Sequence, residues 1–147
     1  MLSVIALALL VGCDNDAFDT ENVGKDKEVE VPPDEEPPVL IHDPVSGTQI
    51  FGSDIAIQAT VRDEGSRIAY VALYYKNEVD GAADWERATM MPAGEVPEGE
   101  VYSGTIRGDD HRGGGVDYYI EAVDTSQNSG FAPEDGESDP YHFRIAE

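Results

Sequence analysis

The chain is poor in cysteine, in positive charge and in long apolar runs. Its one cysteine in 147 residues, Cys13, excludes a disulfide framework within the chain. Nine Lys and Arg stand against 31 Asp and Glu, a formal charge of −22. An acidic excess of that size repels nucleic acid phosphate and anionic headgroups at long range, which removes both as partners of the folded part. The apolar and small-residue run from Met1 to Gly12 has twelve residues, whereas a bilayer-spanning helix needs about 20.

Signatures of catalysis are also missing. There is no G-x-S-x-G, and His42, His111 and His142 fall in unrelated segments. Gly113-Gly114-Gly115 follows a strand pattern without opening a helix, so it lacks the setting of a phosphate loop. Paired carboxylates are plentiful, but their adjacency is expected in so acidic a chain. The expectation is a protein that is not an enzyme.

What is present begins with the leader. The run Met1 to Gly12 stops abruptly at Cys13-Asp14-Asn15-Asp16, and its length suits the apolar region of a secretory signal peptide with Gly12 before the cut. Leu10-Val11-Gly12-Cys13 resembles the lipobox of bacterial lipoprotein precursors. The resemblance implies cleavage before Cys13 and acylation of that residue. Two or three acyl chains at about 0.8 kcal/mol per buried CH₂ would hold the protein stably on a membrane without embedding it. The location so implied is the cell envelope; Asp14 resembles an inner-membrane retention signal of some sorting systems, and the leaflet stays open.

Residues 14–38 carry ten acidic residues against Lys25 and Lys27, with four prolines at the end. Low hydrophobicity, like charge and Pro-Pro pairs predict an extended, solvated spacer whose 25 residues would reach roughly 80 Å when stretched. The organisation expected is therefore a signal segment over 1–12, a lipidated cysteine and acidic linker over 13–38, and one domain over 39–147.

In that domain, short alternating or apolar runs are divided by turn signals about every ten residues, the cadence of an all-β sandwich. Seven strands are expected, over 39–42, 54–62, 67–76, 85–91, 101–107, 116–124 and 140–145. Ile55, Ile57, Ala59 and Val61 alternate with Ala56, Gln58, Thr60 and Arg62, the pattern of a strand buried on one face. The run 67–76 is apolar on both faces and reads as central. Val71-x-Leu73-Tyr74-Tyr75, Trp85, Met91, Tyr102-x-x-x-Ile106 and above all Asp117-Tyr118-Tyr119-Ile120-Glu121-Ala122-Val123-Asp124-x-x-x-Asn128 resemble bacterial immunoglobulin-like modules of the fibronectin type III sort. The resemblance covers most of residues 37–146. It implies a seven-stranded antiparallel immunoglobulin-like sandwich, with a tyrosine near the start of the penultimate strand bonding back over a corner. It does not select a function.

Three candidate sites follow. In such a topology the second and penultimate strands end at one pole, which brings Asp63 and Glu64 beside Asp124 and Asn128, under the loop 92–100 with Glu95, Glu98 and Glu100. Calcium takes six to eight oxygens from carboxylates and carbonyls, and this set supplies several; the alternative is that Asp124, Asn128 and Asp63 cap their own turns. Trp85 and Tyr119, with Tyr74, Tyr75 and Tyr118, either offer a sugar-binding platform or fill the core, one tyrosine of each pair then packing on the outer face beside Trp85. Arg107-Gly108-Asp109 spells the tripeptide of integrin ligands, a match that chance readily supplies. The combined expectation is a monomeric, lipid-anchored envelope protein whose domain binds or spaces, with envelope proteins or glycans as partners. The alternative is a calcium-dependent adhesion or carbohydrate-binding module.

Overall fold

The computed structural model describes residues 30–78, 84–111 and 113–146, so the leader and Cys13 lie outside the described residues. One compact unit spans Pro33–Glu147. Its strands are β1 (Val39–Ile41), β2 (Thr48–Gln49), β3 (Ile55–Arg62), β4 (Ile68–Asn77), β5 (Glu86–Val96), β6 (Gly99–Ile106), β7 (Gly114–Asp124), β8 (Ser129–Ala132) and β9 (Tyr141–Ile145). Among the described residues there is no α-helix, a 3-10 turn spans Gly136–Ser138, and no helix is long and apolar enough to cross a membrane. The fold is all-β.

The strands form one hydrogen-bonded path, β1-β3-β6-β5-β4-β7-β9-β2, with β8 also on β7. Every pairing is antiparallel except that of β2 with β9. The path curls because β5 serves two neighbours. Glu86 to Met90 pair with β4, and Met91 to Val96 pair with β6. The register slips between Pro92 and Gly94, so Pro92, which has no N–H to give a ladder, sits where the ladder is broken.

The curl closes on one core. Ile57, Val61, Tyr102 and Ile106 from β3 and β6 meet Val71, Leu73, Tyr118, Ile120 and Phe143 from β4, β7 and β9. The alternation in β3 holds, with Ile55, Ile57, Ala59 and Val61 buried. Val71, Ala72 and Leu73 are all buried at the middle of β4, which lies between β5 and β7, while Tyr70 and Tyr74 on the outer face stay exposed or half-buried. Gly104 has no side chain because a Cβ there would lie 2.9 Å from Met90 and 3.5 Å from Leu73. Each fully buried Leu, Ile or Val contributes about 1.5–3 kcal/mol.

Tyr118 ties the start of the domain to β7. Its hydroxyl accepts from the Val45 N–H at 2.9 Å and meets His42 Nε2 at 2.9 Å, while His42 Nδ1 faces the Gln58 carbonyl at 2.6 Å. A carbonyl accepts only, so Nδ1 carries the proton; in the neutral ring, which burial favours, Nε2 accepts the Tyr118 O–H. Burial lowers its pKa accordingly, against the Gln58 carbonyl and Asp43. Burial also pushes the Tyr118 hydroxyl up to about 12.

The structure departs from the sequence expectation in three places. It has nine strands rather than seven: β2 is too short to show a period, and β8 lies in a stretch read as loop. The segment 92–100, also read as loop, is the far end of the β5–β6 hairpin, turning between Val96 and Gly99. The compact unit begins at Pro33 rather than Val39, with Pro38 buried and its carbonyl against Gly130, where a Cβ has no room. The last residues of the acidic spacer therefore belong to the domain.

Candidate functional site

At the pole where β3 and β7 end, three carboxylates converge. Asp63 follows β3, Asp124 closes β7, and Asp34 comes from the proline-flanked segment before β1. One oxygen from each lies within 4.8 Å of the others. Two oxygens on opposite sides of a calcium ion, each about 2.4 Å away, are about 4.8 Å apart, so the spacing suits that ion.

Each carboxylate is oriented by its own loop. Asp63 Oδ1 accepts from the N–H groups of Gly65 at 3.0 Å and Ser66 at 2.6 Å, an Asx turn across Asp63-Glu64-Gly65-Ser66. Asp34 Oδ1 accepts from the Glu36 N–H at 3.1 Å. Asp124 Oδ1 accepts from the Asn128 N–H and Oδ2 from the Asn128 amide, both at 2.8 Å. The same amide donates to the Asp34 carbonyl at 2.9 Å. Burial pushes the Asp124 carboxyl up, but hydrogen bonds from the Asn128 side chain and backbone, with Ser66 and Ser126, outweigh it and hold the pKa below the ordinary value of 3.8.

These bonds leave two oxygens over. Asp34 Oδ2 and Asp63 Oδ2 are buried without a hydrogen-bond partner. Among the described residues none of the three carboxylates has a Lys or Arg at ion-pair distance. Buried carboxylate oxygens without donors are costly, and water or a cation satisfies such a set.

Of the four residues expected from the sequence, the structure brings Asp63, Asp124 and Asn128 together. Asn128 joins them through its amide nitrogen, which donates to Asp124 and to the Asp34 carbonyl. Glu64 turns away into an exposed contact with Arg62 at 4.0 Å, and Glu95, Glu98 and Glu100 lie along the neighbouring hairpin rather than in the cluster. Asp34 was hidden in a run of acids that composition assigns to solvent. The signal that could have found it is its position between Pro33 and Pro37, where prolines fix the backbone, opposite Gly65, whose missing side chain makes room for the Asp34 carboxyl.

A second site lies on the outer face. The cross-strand pairs Tyr74–Tyr119 and Tyr75–Tyr118 sit on opposite faces because strand residues alternate. Tyr75 and Tyr118 enter the core, while Tyr74 and Tyr119 stack outside, with centroids 4.8 Å apart and planes at 8°. Trp85 meets Tyr119 edge-on at 4.9 Å, and its indole N–H donates to Glu137 Oε1 at 2.9 Å. This bond holds the 133–138 segment over the sheet and leaves a groove of about 560 Å³ between them. Phe131 forms part of its wall and packs against Gly136, whose φ of +52° and 3.2 Å approach to the ring favour glycine.

The remaining candidates stay apart. His42 joins Tyr118, His111 meets the Ser53 carbonyl at 2.7 Å, and His142 meets Asp117 at 2.8 Å. In Arg107-Gly108-Asp109 the glycine is buried against Gly52, and its N–H donates to Asp54 Oδ1 at 2.8 Å.

No protein-family model matches the chain, nor does any curated protein sequence. Among solved structures, 75% of the chain overlays on an engineered protein at 9% identity and TM-score 0.46, spanning 20% of that protein's length. It overlays to the same extent on murine CRIg at 14% identity and TM-score 0.36, spanning 98% of that chain. The all-β assignment rests on the strands themselves.

Proposed function

We propose that this chain is a lipid-anchored protein of a bacterial envelope. Its parts are a cleaved apolar leader, an acylated Cys13, an acidic spacer and an immunoglobulin-like sandwich of the fibronectin type III sort. The domain is a monomeric, non-catalytic binding or spacing module, braced by calcium at the pole where the spacer enters. Envelope proteins or glycans are its partners.

The observation that carries this reading is the convergence of Asp34, Asp63 and Asp124 with two unpartnered buried oxygens. All three lie in the compact unit, Asp34 near its start, so a cation held by them would tie the first residues of the domain to the ends of β3 and β7. Calcium would be held by the three carboxylates, with Asn128 orienting Asp124 and Asp34. The lipobox-like Leu10-Val11-Gly12-Cys13 supports the anchor.

Mass spectrometry of protein from its native host tests the anchor. A diacylated N-terminal peptide starting at Cys13 is expected, and its absence from a Cys13→Ser variant. An unmodified thiol still joined to Met1 would contradict it. The brace is tested by melting with and without calcium, where wild type gains stability and Asp63→Asn does not.

A further inference from the structure

The groove over Tyr74 and Tyr119 combines an apolar floor with an acidic wall. Its floor is aromatic, and four carboxylates, Glu121, Glu134, Asp135 and Glu137, line it with no Lys or Arg among the lining residues. Aromatic faces attract cations through the ring quadrupole, and the carboxylates, Glu121 half-buried and the other three exposed, add the same preference. Glu121 is fixed by the Tyr74 hydroxyl at 3.1 Å and Glu137 by the Trp85 N–H at 2.9 Å, so two of the carboxylates are held in place.

Two cations of the domain are engaged on this face, and Arg87 also meets the Tyr74 hydroxyl at the groove floor. Lys76 Nζ sits 4.4 Å over the Trp85 ring, and Arg87, opposite Tyr74 on β5, lies 5.2 Å over the Tyr70 ring. Trp85 and Tyr70, the neighbours of the groove, each take a cation on the ring face. The Tyr119 hydroxyl reports the field between them: burial first, then Glu137, Tyr74 and Glu121, push its pKa up to about 12. Phe131 stays 38% exposed at the edge, an apolar surface left for an incoming chain.

We propose that this groove binds a basic peptide segment of a partner protein, seating an arginine or lysine side chain against the Tyr74–Tyr119 stack among the four carboxylates. The alkyl stem lies along Phe131 and the charged head meets Glu134 and Glu137. The proposal deepens the binding-module reading and rests on it.

Trp85, the sole tryptophan of the chain, makes the groove its own reporter. A tetra-arginine peptide titrated into the full chain should change Trp85 emission saturably. Glu134→Gln with Glu137→Gln, both exposed positions, should weaken binding at least fivefold with the melting curve unchanged. Glu95→Gln with Glu98→Gln, which removes the same charge from the distant hairpin, should weaken it less than twofold. Equal weakening by both pairs, no weakening by the groove pair or no saturation would overturn the proposal. A neutral oligosaccharide that saturates the signal where the peptide does not would overturn the cationic guest while sparing the binding-module reading; silence of both ligands would remove both.

Discussion

The Asn128 side-chain amide donates to the Asp34 carbonyl at 2.9 Å across 94 residues of sequence. The same nitrogen donates to Asp124 Oδ2 at 2.8 Å, so one amide joins the first residues of the domain to the turn after β7. That turn is tight: the Asp124 N–H donates to the Asn128 carbonyl at 3.1 Å, and Gln127 takes a φ of +71°, uncommon for a residue with a side chain. Asp124 holds the turn, and the turn presents Asn128 to Asp34.

Asn128→Ala therefore removes two bonds and leaves Asp124 Oδ2 without its amide donor. The expected outcome is a lower melting temperature, together with faster proteolysis of residues 33–38, because Asp34 loses its hold. Limited digestion with mass mapping of the cut sites checks it.

Gly65→Ala separates cation binding from folding. The new Cβ would fall on the Asp34 carboxyl, the free end of a side chain that can swing aside, and Gly65 has no positive φ. Without calcium the melting temperature should change little. With calcium the affinity should fall at least tenfold, because Asp34 no longer reaches the other two carboxylates. Melting curves in chelator and in millimolar calcium measure both.

Acid stability should fall in two steps. His42 has a folded pKa lowered by burial, so the unfolded chain takes up the proton first. Its contribution is complete above the ordinary value of 6.5 and is lost as pH falls through the folded value. Asp124, also lowered, contributes fully above 3.8 and loses its contribution as pH drops through its own folded value. Melting temperature against pH should show the upper step in wild type and lose it in His42→Gln, while Asp124→Asn removes the lower one.

The core and the Pro38 contact differ in kind. Leu73→Ala empties space in the centre of the curl, where Leu73 is fully buried, and should cost about 2–5 kcal/mol. Gly130→Ala instead overfills the approach of the Pro38 carbonyl and should cost about 1–3 kcal/mol. Urea denaturation of both variants gives the values.

What could be read beforehand was set by periodicity. The alternation Ile55 to Val61 and the double-sided run at Val71 to Leu73 follow from which faces a strand buries, and both stand in the fold. Two-residue β2 and the Ser-Gly-Phe-Ala run of β8 carry no period, and Pro92 marks a bulge where it resembles a stop. Asp63 and Asp124 were legible as a pair because strand ends fix the pole. Asp34 was not, since its place depends on Pro38 packing against Gly130 and on an amide far along the chain. The inner and outer tyrosines were separable by alternation alone, whereas the groove needed the 133–138 segment, which Trp85 draws in through Glu137.

Calorimetric titration of calcium into the full chain, with Asp34→Asn alongside, tests the central claim most directly. One calcium per chain should bind wild type, raise its melting temperature and protect residues 33–38, with all three effects lost or weakened at least tenfold in Asp34→Asn. No heat and no melting shift at millimolar calcium, or equal binding by the variant, would contradict a carboxylate brace between the start of the domain and the ends of β3 and β7.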